Sequence, residues 1–160
     1  MNTATAIEDL LGLQRRCVAV KFQESAPDGI ARIDEPALSG CTYWKLAAEG
    51  RTFYTESSDH FGCPIGAHTH GIDLPEAKAK ELEGLVGMMV QLQYIAMEEV
   101  PGIPQLAGEF GVAIYAPLSD ATFEPDAILV TGNAKQMMLL AESAHAAGAA
   151  SDTSMVAGPV

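Results

Sequence analysis

Basic side chains are scarce in this 160-residue sequence: nine lysines and arginines stand against twenty-one aspartates and glutamates, a formal charge of -12. Such a surface repels phosphate backbones and anionic headgroups across the Debye length, which excludes nucleic acid and membrane surfaces as expected partners. Long apolar runs are missing too. The stretch from Leu85 to Leu92 is broken by polar residues well before the roughly 20 positions a membrane-crossing helix needs, and no basic region followed by an apolar segment opens the chain. The expected location is the cytoplasm. Cysteine is limited to Cys17, Cys41 and Cys63, an odd number that argues against a disulfide framework and leaves the thiols for burial, metal or redox chemistry. Neither a Cys-x-x-Cys pair nor a helical His-x-x-x-His is present, so no standard zinc signature is matched.

What is present is enough apolar material, 48% of residues, for one substantial core. Ile7, Leu10, Leu11 and Leu13 repeat near helical spacing behind a cap at Thr5, with Glu8 placed as in a capping box, which predicts a helix to about Gln14 across Gly12. Cys17 to Phe22 reads as a buried strand, Cys41 to Glu49 as a short helix ending at Gly50, and Thr52 to Thr55 as a returning strand. Pro64 starts one helical turn inside the loop from His60 to Gly71. From Pro75 to about Gln93, Leu82, Leu85, Val86, Met89 and Leu92 share one face of a packing helix. Val112 to Ala116 and Ala127 to Thr131 read as strands, and Gly132-Asn133 starts a helix to about Ala146 with Met137, Met138, Leu140 and Ala144 inward.

This order predicts an α+β fold: a single compact domain over residues 1–147, with a mixed-direction sheet and packed helices, and a small-residue tail over 148–160 that is extended or mobile. A strand-turn-helix echo between Val18 to Ala48 and Ile128 to Ala146 raises an internal duplication, although no strict period is visible.

Chemistry concentrates between Asp59 and Gly71, where Cys63 and three of the four histidines, His60, His68 and His70, share one glycine-punctuated stretch with a proline after the cysteine. Thiolate and imidazole are ligands that zinc, copper and iron centres prefer, and Gly62 lets backbone pass close to a bound group. Cys41 is a further candidate ligand if the fold brings it in, and Tyr43 and Trp44 with Phe53 and Tyr54 would wall a cofactor pocket, although aromatics beside a strand more often pack a core. The plain alternative is a capped, hydrogen-bonded surface loop in which Asp59 and the histidines satisfy backbone groups. A Cys63 nucleophile activated by His60 or His68 matches no hydrolase signature. Thr131-Gly-Asn133 offers helix-start amides to an anion but lacks the phosphate-loop pattern, so a tight turn capped by Asn133 is expected.

Taken together, Val18-Ala-Val-Lys-Phe22, Cys41-Thr-Tyr-Trp-Lys-Leu-Ala47, Gly50-Arg-Thr-Phe-Tyr54, Asp59-His-Phe-Gly-Cys-Pro-Ile-Gly-Ala67, Thr69-His-Gly-Ile72, Ile114-Tyr-Ala-Pro-Leu118 and Val130-Thr-Gly-Asn-Ala-Lys-Gln-Met-Met-Leu139 resemble the DUF169 family of uncharacterised proteins. The resemblance implies a mixed α/β fold and no settled activity. It also implies cysteines at Cys41 and Cys63, with further cysteines in a later segment that this sequence does not reach before Val160. Cys17 occupies a position that is often not cysteine in similar sequences and is left out of the site.

The leading expectation is a metal- or iron–sulfur-binding protein with a redox or electron-transfer role. Cys41 and Cys63 ligate, His60, His68 or His70 ligates or supports, and subunits share the site in a homo-oligomer or filament, with a redox partner protein. Zinc is the alternative metal. The other readings are a metal-free small-molecule module or enzyme shaped by Trp44, Tyr54 and the histidine loop, and a self-assembling structural subunit; the sequence does not decide whether the chain is an enzyme.

Overall fold

The computed structural model describes residues 3–108 and 111–148. These form helices α1 (Thr3–Leu11), α2 (Gly40–Ala48), α3 (Pro64–Thr69), α4 (Glu76–Gln91) and α5 (Ala134–Ala146), and strands β1 (Val18–Gln23), β2 (Phe53–Glu56), β3 (Val112–Pro117) and β4 (Ala127–Leu129). Tight 3₁₀ turns occupy Ser57–His60 and Met97–Gly102. The expected tail lies outside the described residues, apart from Gly148.

The strands form one sheet in the order β2-β3-β1-β4, an α+β arrangement. Chain direction differs from the sequence expectation: every pair of neighbouring strands is antiparallel, and among the described residues the one parallel contact is an isolated bridge between Arg32 and Tyr54. The reason lies in the connection. The β1-α2-β2 segment sends β1 and β2 the same way, as a crossover helix does, but β3 enters between them and runs against both.

Register puts Phe53, Tyr115 and Val20 opposite one another in one row, and Thr55, Ala113 and Phe22 in the next. Directly paired residues share a face, and this face carries the core: Val18, Val20, Phe53, Ala113 and Tyr115 meet Tyr43, Ala47 and Ala48 of α2, together with Ile33. Phe53 and Tyr115 stack at 5.5 Å, with Tyr43 at 5.8 Å from Tyr115. Burial in this cluster raises the Tyr115 hydroxyl well above the ordinary phenol range.

Helix ends follow local chemistry. Gly12, expected inside the first helix, instead ends it: with φ of 62° it takes the left-handed position, while Leu13 N–H reaches Glu8 O and Gly12 N–H reaches Asp9 O. Glu8 is not a capping-box partner either, because its carboxylate accepts the Cys17 N–H at 2.7 Å and ties α1 to the start of β1. Gly50 ends α2 in the same left-handed manner, as the sequence indicates.

Two packing expectations are corrected. In α4 the predicted face of Leu82, Leu85, Val86 and Met89 is half-buried rather than fully buried, the helix resting on α3 rather than on the sheet, and Leu92 beyond its end is 70% exposed. In α5, Met138 faces solvent while Met137 and Leu140 are half-buried. The two halves of the echo are not equivalent: β1 is central and buried, whereas β4 is a three-residue edge strand with every residue exposed.

Candidate functional site

Where β2 ends, the 3₁₀ turn is locked from three sides. The Asp59 carboxylate accepts the Glu56 N–H at 2.8 Å and receives Arg32 in a two-pronged contact, Nε to Oδ2 at 3.0 Å and Nη2 to Oδ1 at 2.8 Å. Arg32 also pairs with Glu56 at 2.7 Å. The Tyr43 hydroxyl donates to the Asp59 carbonyl at 2.5 Å and accepts the Ala37 N–H at 2.9 Å. A charge-assisted fork of this kind fixes orientation as well as energy.

The locked turn drives His60 into the core, where it is 2% exposed. Its Nε2 lies 2.8 Å from Thr55 Oγ1, and the Thr55 hydroxyl donates to Ala113 O at 3.3 Å. That assigns the neutral Nε2–H tautomer, since the other tautomer would bury an N–H with no acceptor. Nδ1 is then a bare lone pair, and among the described residues it is the buried side-chain nitrogen or oxygen left without a partner. Burial, with the neighbouring His70 adding to it, pushes the His60 pKa down to about 4. Tyr43 meets the His60 ring edge-on at 5.1 Å, and His70 lies against it at 5.1 Å with a 36° tilt.

His70 closes α3. Its Nδ1 is 2.6 Å from Gly66 O, and its ring meets Phe22 edge-on at 5.6 Å. Gly71 lies in the left-handed region at φ of 68°, and a Cβ there would stand 2.8 Å from Leu106 O. His68 is turned elsewhere: Gln105 Nε2 donates to its Nδ1 at 3.0 Å and to its carbonyl at 3.2 Å.

The two candidate cysteines occupy one edge. Segments 37–41 and 62–66 run against each other, for a Cβ on Gly62 would sit 2.9 Å from Ala37 O, and one on Gly66 would sit 3.1 Å from Cys63 Sγ and 4.0 Å from Gly40 Cα. Cys63 precedes α3, with its N–H on His60 O at 2.9 Å. Cys41 is exposed in the first turn of α2, which Ser39 caps through the Cys41 N–H. Both are free thiols. Cys17, in contrast, is buried, and burial pushes its thiol up to about 11.

Thus the fold groups His60 with His70 and sets Cys41 beside the Cys63 segment, while His68 and Gln105 form a surface pair. Trp44 packs partly buried against the core. Gly62 is exposed, and its role in the geometry is the close approach to residues 37–38. Among the described residues, no three Cys, His, Asp or Glu side chains converge as a metal centre requires. The Thr131 to Asn133 turn is capped as expected: Asn133 Oδ1 accepts the Gln136 N–H at 3.0 Å, and Gln136 Nε2 donates to Leu11 O and Gly12 O, both at 2.9 Å.

Sequence reasoning missed Thr55 and Arg32, and took Tyr43 for a pocket-wall or core aromatic rather than the hydroxyl that holds the Asp59 carbonyl. Thr55 lies between Tyr54 and Glu56 in a four-residue strand and Arg32 lies 27 residues before Asp59, so no local pattern announces either.

The family model DUF169, described as uncharacterised ArCR, matches residues 6–159. Over 138 residues the chain is 29% identical to the uncharacterized protein MJ0308 of Methanocaldococcus jannaschii, a match that covers 82% of this chain and 58% of the relative. The chain therefore spans a little over half the length of that relative. No solved structure matches it.

Proposed function

The chain belongs to the DUF169 family, and from its own residues we propose that it is a metal- or iron–sulfur-binding protein with a redox or electron-transfer role, in which Cys41 and Cys63 are two thiolate ligands. The observation that supports this reading is the tight passage at Gly66, where a Cβ would stand 3.1 Å from Cys63 Sγ and 4.0 Å from Gly40 Cα, the neighbour of exposed Cys41. Bare backbone at Gly62 and Gly66 brings the two segments together without side chains between them.

Two thiols do not complete a four-ligand centre, and the described residues offer no third ligand at the same point. The remaining ligands come from outside them, either from later residues of a longer chain or from a second copy. A bound cluster would supply one-electron transfer. The protein's part is to hold the thiols at an exposed edge where a partner reaches them. Leu38 supports such docking: it lies beside Gly62 on that edge and is 90% exposed. A homo-oligomer in the cytoplasm, where thiols stay reduced, is the assembly this reading favours.

The test is absorption with iron, sulfide and zinc analysis on anaerobically purified full chain, native and with Cys41→Ser or Cys63→Ser. Stoichiometric iron with sulfide, or zinc, lost in both variants supports the proposal. Metal-free native protein, or metal content unchanged in both variants, overturns it.

A further inference from the structure

We propose that β4 is the contact edge between two copies of this chain, which pair their β4 strands antiparallel about a twofold axis at Ile128. The strand order β2-β3-β1-β4 gives β4 one neighbour, β1, and among the described residues no strand on its other side. An edge strand presents a row of main-chain donors and acceptors that templates pairing with another chain, and proteins blunt such edges with lysine, proline or an inward-pointing charge. Residues 127–131 carry none of these. Ala127, Ile128 and Leu129 are all exposed, Ile128 to 52%. The surface lies across the sheet from the cysteines, since β2, whose end leads to Cys63, is the opposite edge, so it stands or falls separately from the metal reading.

Charge decides what fits this edge. One end of β4 is acidic: Asp126 is engaged by Lys21 at 3.6 Å, while Glu124 is exposed and makes no ion pair among the described residues. The other end is basic. Arg15, exposed and likewise without an ion pair among the described residues, lines one cavity with Thr131, Gly132 and Asn133. A strand with opposite charges at its two ends is complementary to its own reversed copy. Antiparallel pairing centred on Ile128 brings Glu124 of each copy toward Gly132 and Arg15 of the other, and the twofold makes this contact twice. Directly paired residues share a face, so Ile128 meets Ile128 and Leu129 meets Ala127, with no like charges opposed. Exposed ion pairs of this kind contribute little affinity but fix direction and register. Main-chain hydrogen bonds and the covered apolar side chains supply the rest. An acidic peptide laid on the same edge would leave Glu124 unanswered, and the formal charge of -12 on each copy disfavours approach through most other surfaces.

The experiment is analytical ultracentrifugation of the full chain carrying Cys41→Ser and Cys63→Ser, in chelator, so that metal has no part in the result. A dimer at about 100 μM protein is expected. Ile128→Lys, a charge placed at the centre of the edge, should give monomer. Arg15→Glu or Glu124→Arg alone should raise the dimer Kd about tenfold or more, and the two together should restore it, because the reversed charges meet again across the twofold. Circular dichroism checks that each variant is folded; if Ile128→Lys is not, the two charge reversals at exposed positions decide. Monomer at that concentration, a dimer indifferent to folded Ile128→Lys, or charge reversals whose effects add instead of cancelling overturns the interface. A dimer indifferent to Ile128→Lys would place the contact on another surface, such as the exposed residues Leu92 and Tyr94.

Discussion

Thr55 Oγ1 and His60 Nε2 stand 2.8 Å apart inside the protein, and the Thr55 hydroxyl donates a hydrogen bond to Ala113 O across the β2-β3 pair. The histidine is thus held by the sheet itself. Thr55→Val keeps the shape and strands the ring N–H, so it should cost about 1–3 kcal/mol in urea unfolding. Thr55→Ser should recover most of that. Equal stability of the Val variant and the native protein would show that the hydroxyl does not hold the ring.

Stability of the metal-free protein should fall in mild acid. The folded-state pKa of His60 is depressed to about 4 from an ordinary 6.5. Between these values the unfolded chain binds the extra proton, so the contribution is fully present above 6.5, is lost as pH falls toward 4, and is on the order of 3 kcal/mol. Urea midpoints at pH 7 and 4.5, native against His60→Gln, measure it. An identical pH slope in the two proteins would remove His60 as the cause.

The thiols should separate by reactivity. Cys41 is exposed and Cys63 half-buried, whereas Cys17 is buried with its pKa raised to about 11. Since the thiolate is the reacting species, iodoacetamide at pH 8 should label Cys41 first, Cys63 next and Cys17 only after unfolding. Mass spectrometry of timed digests reads the order, and early labelling of Cys17 in folded protein would contradict its placement.

Much of the architecture was legible beforehand because the strands and helices carry their own signals. Val18 to Phe22 is a compact apolar run, and Pro64 marks the start of α3 as its fixed φ requires. Strand direction was not legible, because nothing in residues 18–56 reveals that β3 will come between β1 and β2. The periodicity of Leu82 to Leu92 marked a helix but not how deeply it is buried, which depends on what packs against it. At the site, the sequence grouped His60, His68 and His70 by proximity along the chain. Space divides them, since the path of α3 returns His70 to His60 while His68 turns out to Gln105.

Two backbone positions should respond oppositely to substitution. Gln93 takes φ of 58° after α4, a left-handed conformation that a side chain disfavours, and Gln93→Gly should add about 0.5–1 kcal/mol. Gly71 combines φ of 68° with Leu106 O 2.8 Å from where a Cβ would lie, so Gly71→Ala should lower the melting temperature. Thermal melts of the two variants compare the signs directly, and a stabilised Gly71→Ala would contradict the close approach.

The placement of β3 also bears on how the chain reaches this state. Strands β1 and β2 are made first, yet neither pairs with the other, and both wait for residues 112–117 to supply the partner between them. Until that segment leaves the ribosome, the apolar face of Val18, Val20 and Phe53 has no sheet to lie in, and closing it requires contacts far apart in sequence, which slow folding. A nascent chain stopped before residue 112 should therefore be protease-sensitive throughout, and one released after residue 148 should acquire resistance in a single step.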